Sequence, residues 1–153
     1  MFHIVLFEPE IPPNTGNIIR LTVNAAASLH LIHPLGFEIN DKHLKRAGMD
    51  YSEYSELIEY KSYSEFKKKH SPSRLFAAST KGKRCYADVE YKPGDCIIFG
   101  PETRGLPEHV LDDIGQHNIL RIPMQKISRS LNLSNAVAII LYEALRQNDF
   151  SGT

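Results

Sequence analysis

Two short apolar runs late in the chain, each cut off by a proline, restrict the fold more than any other feature. Residues 96–99 stop at Gly100-Pro101, and residues 119–122 stop at Pro123. A polar segment, Ser128-Arg129-Ser130-Leu131-Asn132-Leu133-Ser134-Asn135, then opens a helical pattern that runs to about residue 147. Short apolar runs bounded by Gly and Pro read as buried strands, and a Ser/Asn segment ahead of an apolar periodic stretch reads as a helix start. Several polar loops therefore gather at one edge of a sheet. Loops leaving the carboxyl ends of strands are where α/β proteins bind ligands, and these combine small residues with Glu102 and Arg104.

The rest of the chain repeats the pattern. Residues 2–7 read as a buried strand, and Asn14 or Thr15 can cap a helix running through Ala27. Residues 29–33 form a second strand, ended by Pro34 and Gly36. Asp41 can cap a short helix carrying Leu44 and Ala47, and residues 56–60 make a weak third strand. Ser62 and Glu65 fit a capping box ahead of a lysine-rich helix over residues 66–70. Residues 74–79 and 95–99 are further strands, Pro107 suits the first turn of a helix, and residues 118–122 make the last strand. Strands alternating with helices predict an α/β fold, a single-domain mostly parallel sheet flanked by helices, over residues 1–153.

The final helix is apolar on more sides than docking on a sheet requires, with Ala136, Val137, Ile139, Ile140, Leu141, Ala144 and Leu145. Either it sinks into its own core or it is shared with a second subunit. Lysine plus arginine equals aspartate plus glutamate at 18 each, so net charge says nothing about nucleic acid. Cys85 and Cys96 match no redox or zinc spacing and read as free thiols. With no visible signal peptide and no apolar stretch long enough to span a bilayer, the expected place is the cytoplasm, away from membranes.

No G-x-G-x-x-G follows the first strand and no G-x-x-x-x-G-K-[ST] occurs, so a phosphate cradle is not expected. A nucleotide hydrolase would need that loop or an acidic metal cluster, and neither is evident. A cofactor without phosphates would need no such cradle.

Three separated segments carry a resemblance: Asn14-Thr15-Gly16-Asn17-Ile18-Ile19-Arg20, Phe99-Gly100-Pro101-Glu102-Thr103-Arg104-Gly105-Leu106-Pro107, and Ile122-Pro123-Met124 followed by residues 128–136. In this order they resemble the SPOUT superfamily of S-adenosylmethionine-dependent RNA methyltransferases, most closely the small bacterial tRNA 2′-O-methyltransferases of the wobble position. The resemblance spans about residues 1–147. It implies methyl transfer to the ribose 2′-hydroxyl of a wobble pyrimidine in tRNA, with leucine tRNAs the expected substrates. It also implies a carboxyl-terminal deep trefoil knot, a rare exception to unthreaded chains. The implied S-adenosyl-L-methionine contacts are Ala78, Thr80, Gly100, Glu102, Arg104, Ile122, Met124, Ser130, Leu131, Asn132 and Ala136, and the implied catalytic residues are Arg20, Asn17 and Ser130, with no metal. A non-catalytic RNA-binding module with the same fold is the alternative.

Each residue also has a plainer role. Gly100, Pro101 and Gly105 can simply make turns, Arg20 can be a solvated helix arginine, and Ser130 and Asn132 are ordinary at a helix start. Glu102 and Arg104 can pair with each other, or Arg104 can touch RNA. The seven histidines read as ordinary, since His30 and His33 lie three apart on a strand and point to opposite faces. Lys67, Lys68 and Lys69 read as a solvated helix face, although with Lys42, Lys45, Arg46, Lys81, Lys83 and Arg84 they could make a phosphate track. The chain has no room for a separate RNA-binding domain. Its RNA grip must then come from the one domain, which suggests a homodimer through the carboxyl-terminal helix.

Overall fold

A computed structural model describes residues 1–39, 42 and 57–153. Its described residues form one seven-stranded sheet in the order β3-β2-β1-β6-β4-β7-β5, built from β1 (His3–Phe7), β2 (Ser28–Ile32), β3 (Leu57–Tyr60), β4 (Leu75–Ala78), β5 (Arg84–Cys85), β6 (Cys96–Phe99) and β7 (Ile119–Arg121). Every pairing among them is parallel. β1 lies between β2 and β6, with His3 opposite both Ser28 and Cys96. The chain winds outward from β1 through β2 and β3, and later strands build on the other side. The strand order thus reverses between β1 and β6, where crevices form in open α/β sheets.

Alternate residues of β1 feed two cores, as the two-residue strand period requires. Ile4 and Leu6 pack with Ile18, Ile19, Leu31, Ile97, Val137, Ile140 and Leu141 beneath α1 (Pro12–Asn24) and α4 (Leu133–Gln147). Val5 and Phe7 pack with Phe66, Ile98, Val110 and Leu111 beneath α2 (Tyr63–His70) and α3 (Glu108–Ile114). Burial on both faces is why these strands read as unbroken apolar runs rather than alternating ones.

Several boundaries differ from the sequence reading. α1 begins at Pro12 with neither Asn14 nor Thr15 as its cap; both lie buried in its first turns. Prolines 12 and 13 fit there because the first helical amides have no intrahelical partner to lose. The helix stops at Asn24 instead of reaching Ala27, since Ala26 takes a left-handed conformation with φ of 48°. α2 starts three residues earlier than expected: Ser62 Oγ accepts from the Glu65 amide at 3.1 Å, and the Glu65 carboxylate accepts from the Lys61 amide. The two-residue β5 carries no sequence signal. The helix expected after Asp41 lies outside the described residues.

The broad apolar surface of α4 is absorbed largely within the chain. Val137, Ile140, Leu141, Ala144 and Leu145 are buried, and the helix packs on α1 of the same chain. Tyr142 on α4 and Val23 on α1 remain exposed, at 44% and 41%.

Candidate cofactor site

The loops leaving β4, β6 and β7 meet the first turns of α1 and α4 around a cleft of about 600 Å³. Beyond β4, the Ser79 amide donates to the Leu120 carbonyl at 2.9 Å, and Gly82 presses so closely on residues 119 and 120 that a Cβ would stand 2.7 Å from the Leu120 carbonyl carbon. Beyond β6 the chain folds back over Gly100, where a Cβ would collide with the backbone of Gly105 and Leu106. Gly105 makes that return with φ of +68°, and its amide donates to the Pro101 carbonyl at 3.0 Å. These two glycines are required for different reasons, one by close approach and the other by conformation.

The third wall is the approach to α4. Asn132 caps this helix: its Oδ1 accepts from the Asn135 amide at 3.3 Å and from Ser134 Oγ at 2.6 Å. Its Nδ2 donates to Asn14 Oδ1 at 3.0 Å, and Asn14 Nδ2 donates to Glu102 Oε1 at 3.3 Å. One chain of side chains therefore ties the loops after β6 and β7 to the start of α1.

Glu102 and Arg104 do not pair with each other. The Glu102 carboxylate turns to the start of α1, accepting from the backbone amides of Glu10 at 2.8 Å and Ile11 at 3.1 Å. Negative charge is favoured at a helix start, where free amides and the helix dipole both point toward it. Glu10 answers in the reverse direction: its carboxylate accepts from the Thr103 amide at 3.1 Å and hydroxyl at 2.7 Å, which hold its pKa below the ordinary carboxylate value. Arg104 Nη2 reaches Glu8 Oε2 at 3.0 Å. The electrostatic preference of each charged side chain lies across the two loops rather than within one.

All eleven residues expected to contact a cofactor, from Ala78 and Thr80 through Gly100, Glu102, Arg104, Ile122, Met124, Ser130, Leu131 and Asn132 to Ala136, line this cleft. Ser130, expected to be catalytic, lines it as well. Asn17 and Arg20 do not; both are exposed on α1, beyond the turn that carries Asn14. Sequence reasoning missed Glu8 and Glu10, although a Glu-Pro-Glu segment directly after the first strand was a legible sign of a polar loop at a carboxyl end.

The lining also tests which ligand fits. Phe99, Leu120, Ile122, Met124 and Leu131 supply apolar surface, and among the described residues the charged ones lining it are Glu102, Arg104 and Arg129. Among the described residues no lysine lines the cleft. A nucleoside with a small charged tail suits these walls better than a nucleotide does.

The sequence profile of the SpoU rRNA methylase family matches residues 1–142. The chain belongs to that family. It is 54% identical over 153 residues to the tRNA (cytidine(34)-2′-O)-methyltransferase of Saccharophagus degradans, covering 100% of this chain and 99% of that protein. A solved structure concerned with 2-OH methylation of C/U34 on tRNA superposes with a TM-score of 0.89 at 42% identity, covering 97% of each chain. An AdoMet-bound rRNA methyltransferase from Sinorhizobium meliloti superposes with a TM-score of 0.83 at 26% identity, covering 95% of this chain and 56% of that one. Within this SpoU fold the basic side chains of α2 are partly engaged: Lys67 pairs with Asp113 at 3.1 Å and Lys69 with Glu65 at 2.7 Å. Lys45 and Arg46 lie outside the described residues. Among the described residues no helix is long and apolar enough to cross a membrane.

Proposed function

We propose that this chain is a tRNA 2′-O-methyltransferase that moves a methyl group from S-adenosylmethionine to the ribose 2′-hydroxyl of the pyrimidine at wobble position 34, with leucine tRNAs as substrates. The observation that carries this reading is a cleft at the strand-order reversal, lined by the loops after β4, β6 and β7, in a chain alike along its whole length to a cytidine-34 methyltransferase. The bound cofactor would supply an electrophilic methyl carbon on a sulfonium. The chain's part is to hold it, exclude water and present the hydroxyl in line with it.

The Gly100 turn leaves room for close backbone approach, Ile122 and Leu131 offer main-chain groups to a base edge, and Ser130 and Asn132 offer hydrogen bonds at the cleft mouth. Arg20 is the residue we assign to the target ribose, with Asn17 one turn earlier as its companion. A guanidinium is a poor base, so holding the adjoining phosphate and steadying the developing alkoxide is its easier task. Its place on α1, off the cleft wall of its own chain, supports a homodimer in which each copy presents Arg20 to the partner's cleft. The exposed Tyr142 of α4 and Val23 of α1 support the same pairing. The reading further takes residues 1–153 as one domain with a knotted carboxyl-terminal segment, working in the cytoplasm.

Labelled S-adenosylmethionine with bulk tRNA, followed by nucleoside mapping, tests the function. A 2′-O-methylated pyrimidine at position 34 is expected. Binding of tRNA without methyl transfer would favour a non-catalytic module instead. Arg20→Ala should keep cofactor affinity and lose methyl transfer, and Arg20→Lys should recover little of it. Wild-type turnover by Arg20→Ala would remove that residue from the reaction.

A further inference from the structure

A second cluster of chemistry-bearing side chains lies on the amino-terminal side of the sheet, away from the cleft. His3 opens β1, Ser28 opens β2 and Cys96 opens β6, and the register sets His3 beside both Ser28 and Cys96. His30 stands two residues after Ser28, on the same face of β2. The last residue of α2, His70, comes down over this face. The three imidazole rings lie 4.5 to 5.3 Å apart, centroid to centroid.

Their nitrogens converge. His3 Nδ1 and His30 Nε2 are 3.1 Å apart, and one potential ligand atom from each of the three rings lies within 4.8 Å of the others. Nitrogens sharing a tetrahedral zinc ion at about 2.0–2.1 Å stand roughly 3.3 Å from one another, close to the His3–His30 separation, and His70 lies within reach of the same point. His30 is fully buried, and its Nδ1 is 3.0 Å from Tyr60 Oη. With Nδ1–H donated to that phenol oxygen, Nε2 keeps its lone pair toward His3, which is the way outer partners orient metal-binding histidines. His3 and His70 are only part-buried, so the cluster has an open side. Ser28 Oγ, 2.5 Å from His3 Nδ1 and 3.0 Å from His30 Nε2, is the nearest further polar atom and an ion would displace its hydrogen bonds; Cys96 Sγ stands 3.3 Å from His70 Nε2, and a nitrogen-rich site beside sulfur suits zinc rather than magnesium or calcium. His33 takes no part, standing 2.6 Å from Glu59 Oε2.

We propose that His3, His30 and His70 form a site for one divalent zinc-class ion, which cross-links β1, β2 and α2 and stands apart from the methyl-transfer cleft.

The test uses the untagged full chain, stripped with a chelator and titrated with zinc chloride and cobalt chloride by calorimetry, with magnesium chloride as the control. One zinc per chain, a raised Tm and visible cobalt bands of a tetrahedral site are expected. His3→Asn and His70→Gln, both at part-buried positions, should each weaken zinc binding by more than about 100-fold, beyond the 10–100-fold that loss of an outer partner costs. Tyr60→Phe should weaken it by about 10–100-fold. Zinc binding unchanged in the folded His3→Asn/His70→Gln double variant, or absent from the wild-type chain, would overturn the site and leave three histidine rings in tilted and edge-on contact.

Discussion

Replacing Glu102 by alanine tests how the cleft is held together. The carboxylate serves two backbone amides at the start of α1 and the side-chain amide of the buried Asn14. Losing a side chain that caps a helix start costs about 1 kcal/mol, and losing negative charge from the helix dipole costs roughly 0.3–1 kcal/mol. Leaving the Asn14 amide short of a partner adds about 1–3 kcal/mol, at the lower end if water follows it. The sum is roughly 2–5 kcal/mol. For a chain of 153 residues, each kcal/mol moves the Tm by about 2–4 °C, so a drop of roughly 4–20 °C is expected. Glu102→Gln keeps one oxygen acceptor and should fall by less than half as much. Because the same contacts position the loop after β6 and, through Asn14, the cap of α4, cofactor affinity measured by calorimetry should fall together with the Tm. Wild-type Tm and affinity in Glu102→Ala would refute the reasoning, since the loops would then be held by something other than this carboxylate.

Three further outcomes follow from the geometry. Gly100→Ala places a methyl group against the backbone of residues 105 and 106, so it should cost about 1–3 kcal/mol and weaken cofactor binding by more than about tenfold; full affinity by calorimetry would show that the turn can open. His30, depressed to about 3 from the ordinary 6.5, binds its proton less readily folded than unfolded, and His3 and His70 shift the same way. Their contribution to stability is complete above about pH 6.5 and erodes as pH falls, levelling only below the folded values, so denaturant midpoints should decline from about pH 7 to about pH 5; a flat profile there would contradict this. Tyr142→Asp alters an exposed residue outside the cleft and should shift sedimentation toward monomer while lowering methyl transfer; a folded, fully active monomer would count against the shared site.

The sequence showed the site better than it showed the supports of the site. Gly100, Gly105 and the Ser/Asn approach to α4 were legible because local backbone needs choose those residue types. Arg104 and Glu102 were visible as charges, but their partners Glu8 and Glu10 stand more than ninety residues away, and only the pairing of β1 with β6 brings them together. The histidine cluster was hidden in the same way. Positions 3, 30 and 70 share a place only through strand register and the docking of α2, whereas the spacing of His30 and His33 within one strand was all that sequence could weigh. The start of α1 was misplaced because Asn14 has the composition of a cap while Pro12 and Pro13 already occupied the first turn. For α4, an apolar surplus could be counted but not assigned, and the packing of α1 against it absorbed much of that surplus.

The crossed carboxylates joining residues 8–11 to residues 102–104 set an order of events during synthesis. β1 and α1 leave the ribosome early, yet the wall they help to make stays open until the chain beyond Asn132 has emerged and looped back. Closing contacts of such long sequence separation is slow and comes late. A nascent chain therefore has no cleft to fill until nearly all of it has been made, and a truncation after β6 would leave the amino-terminal loop without its partners and the cofactor without a seat.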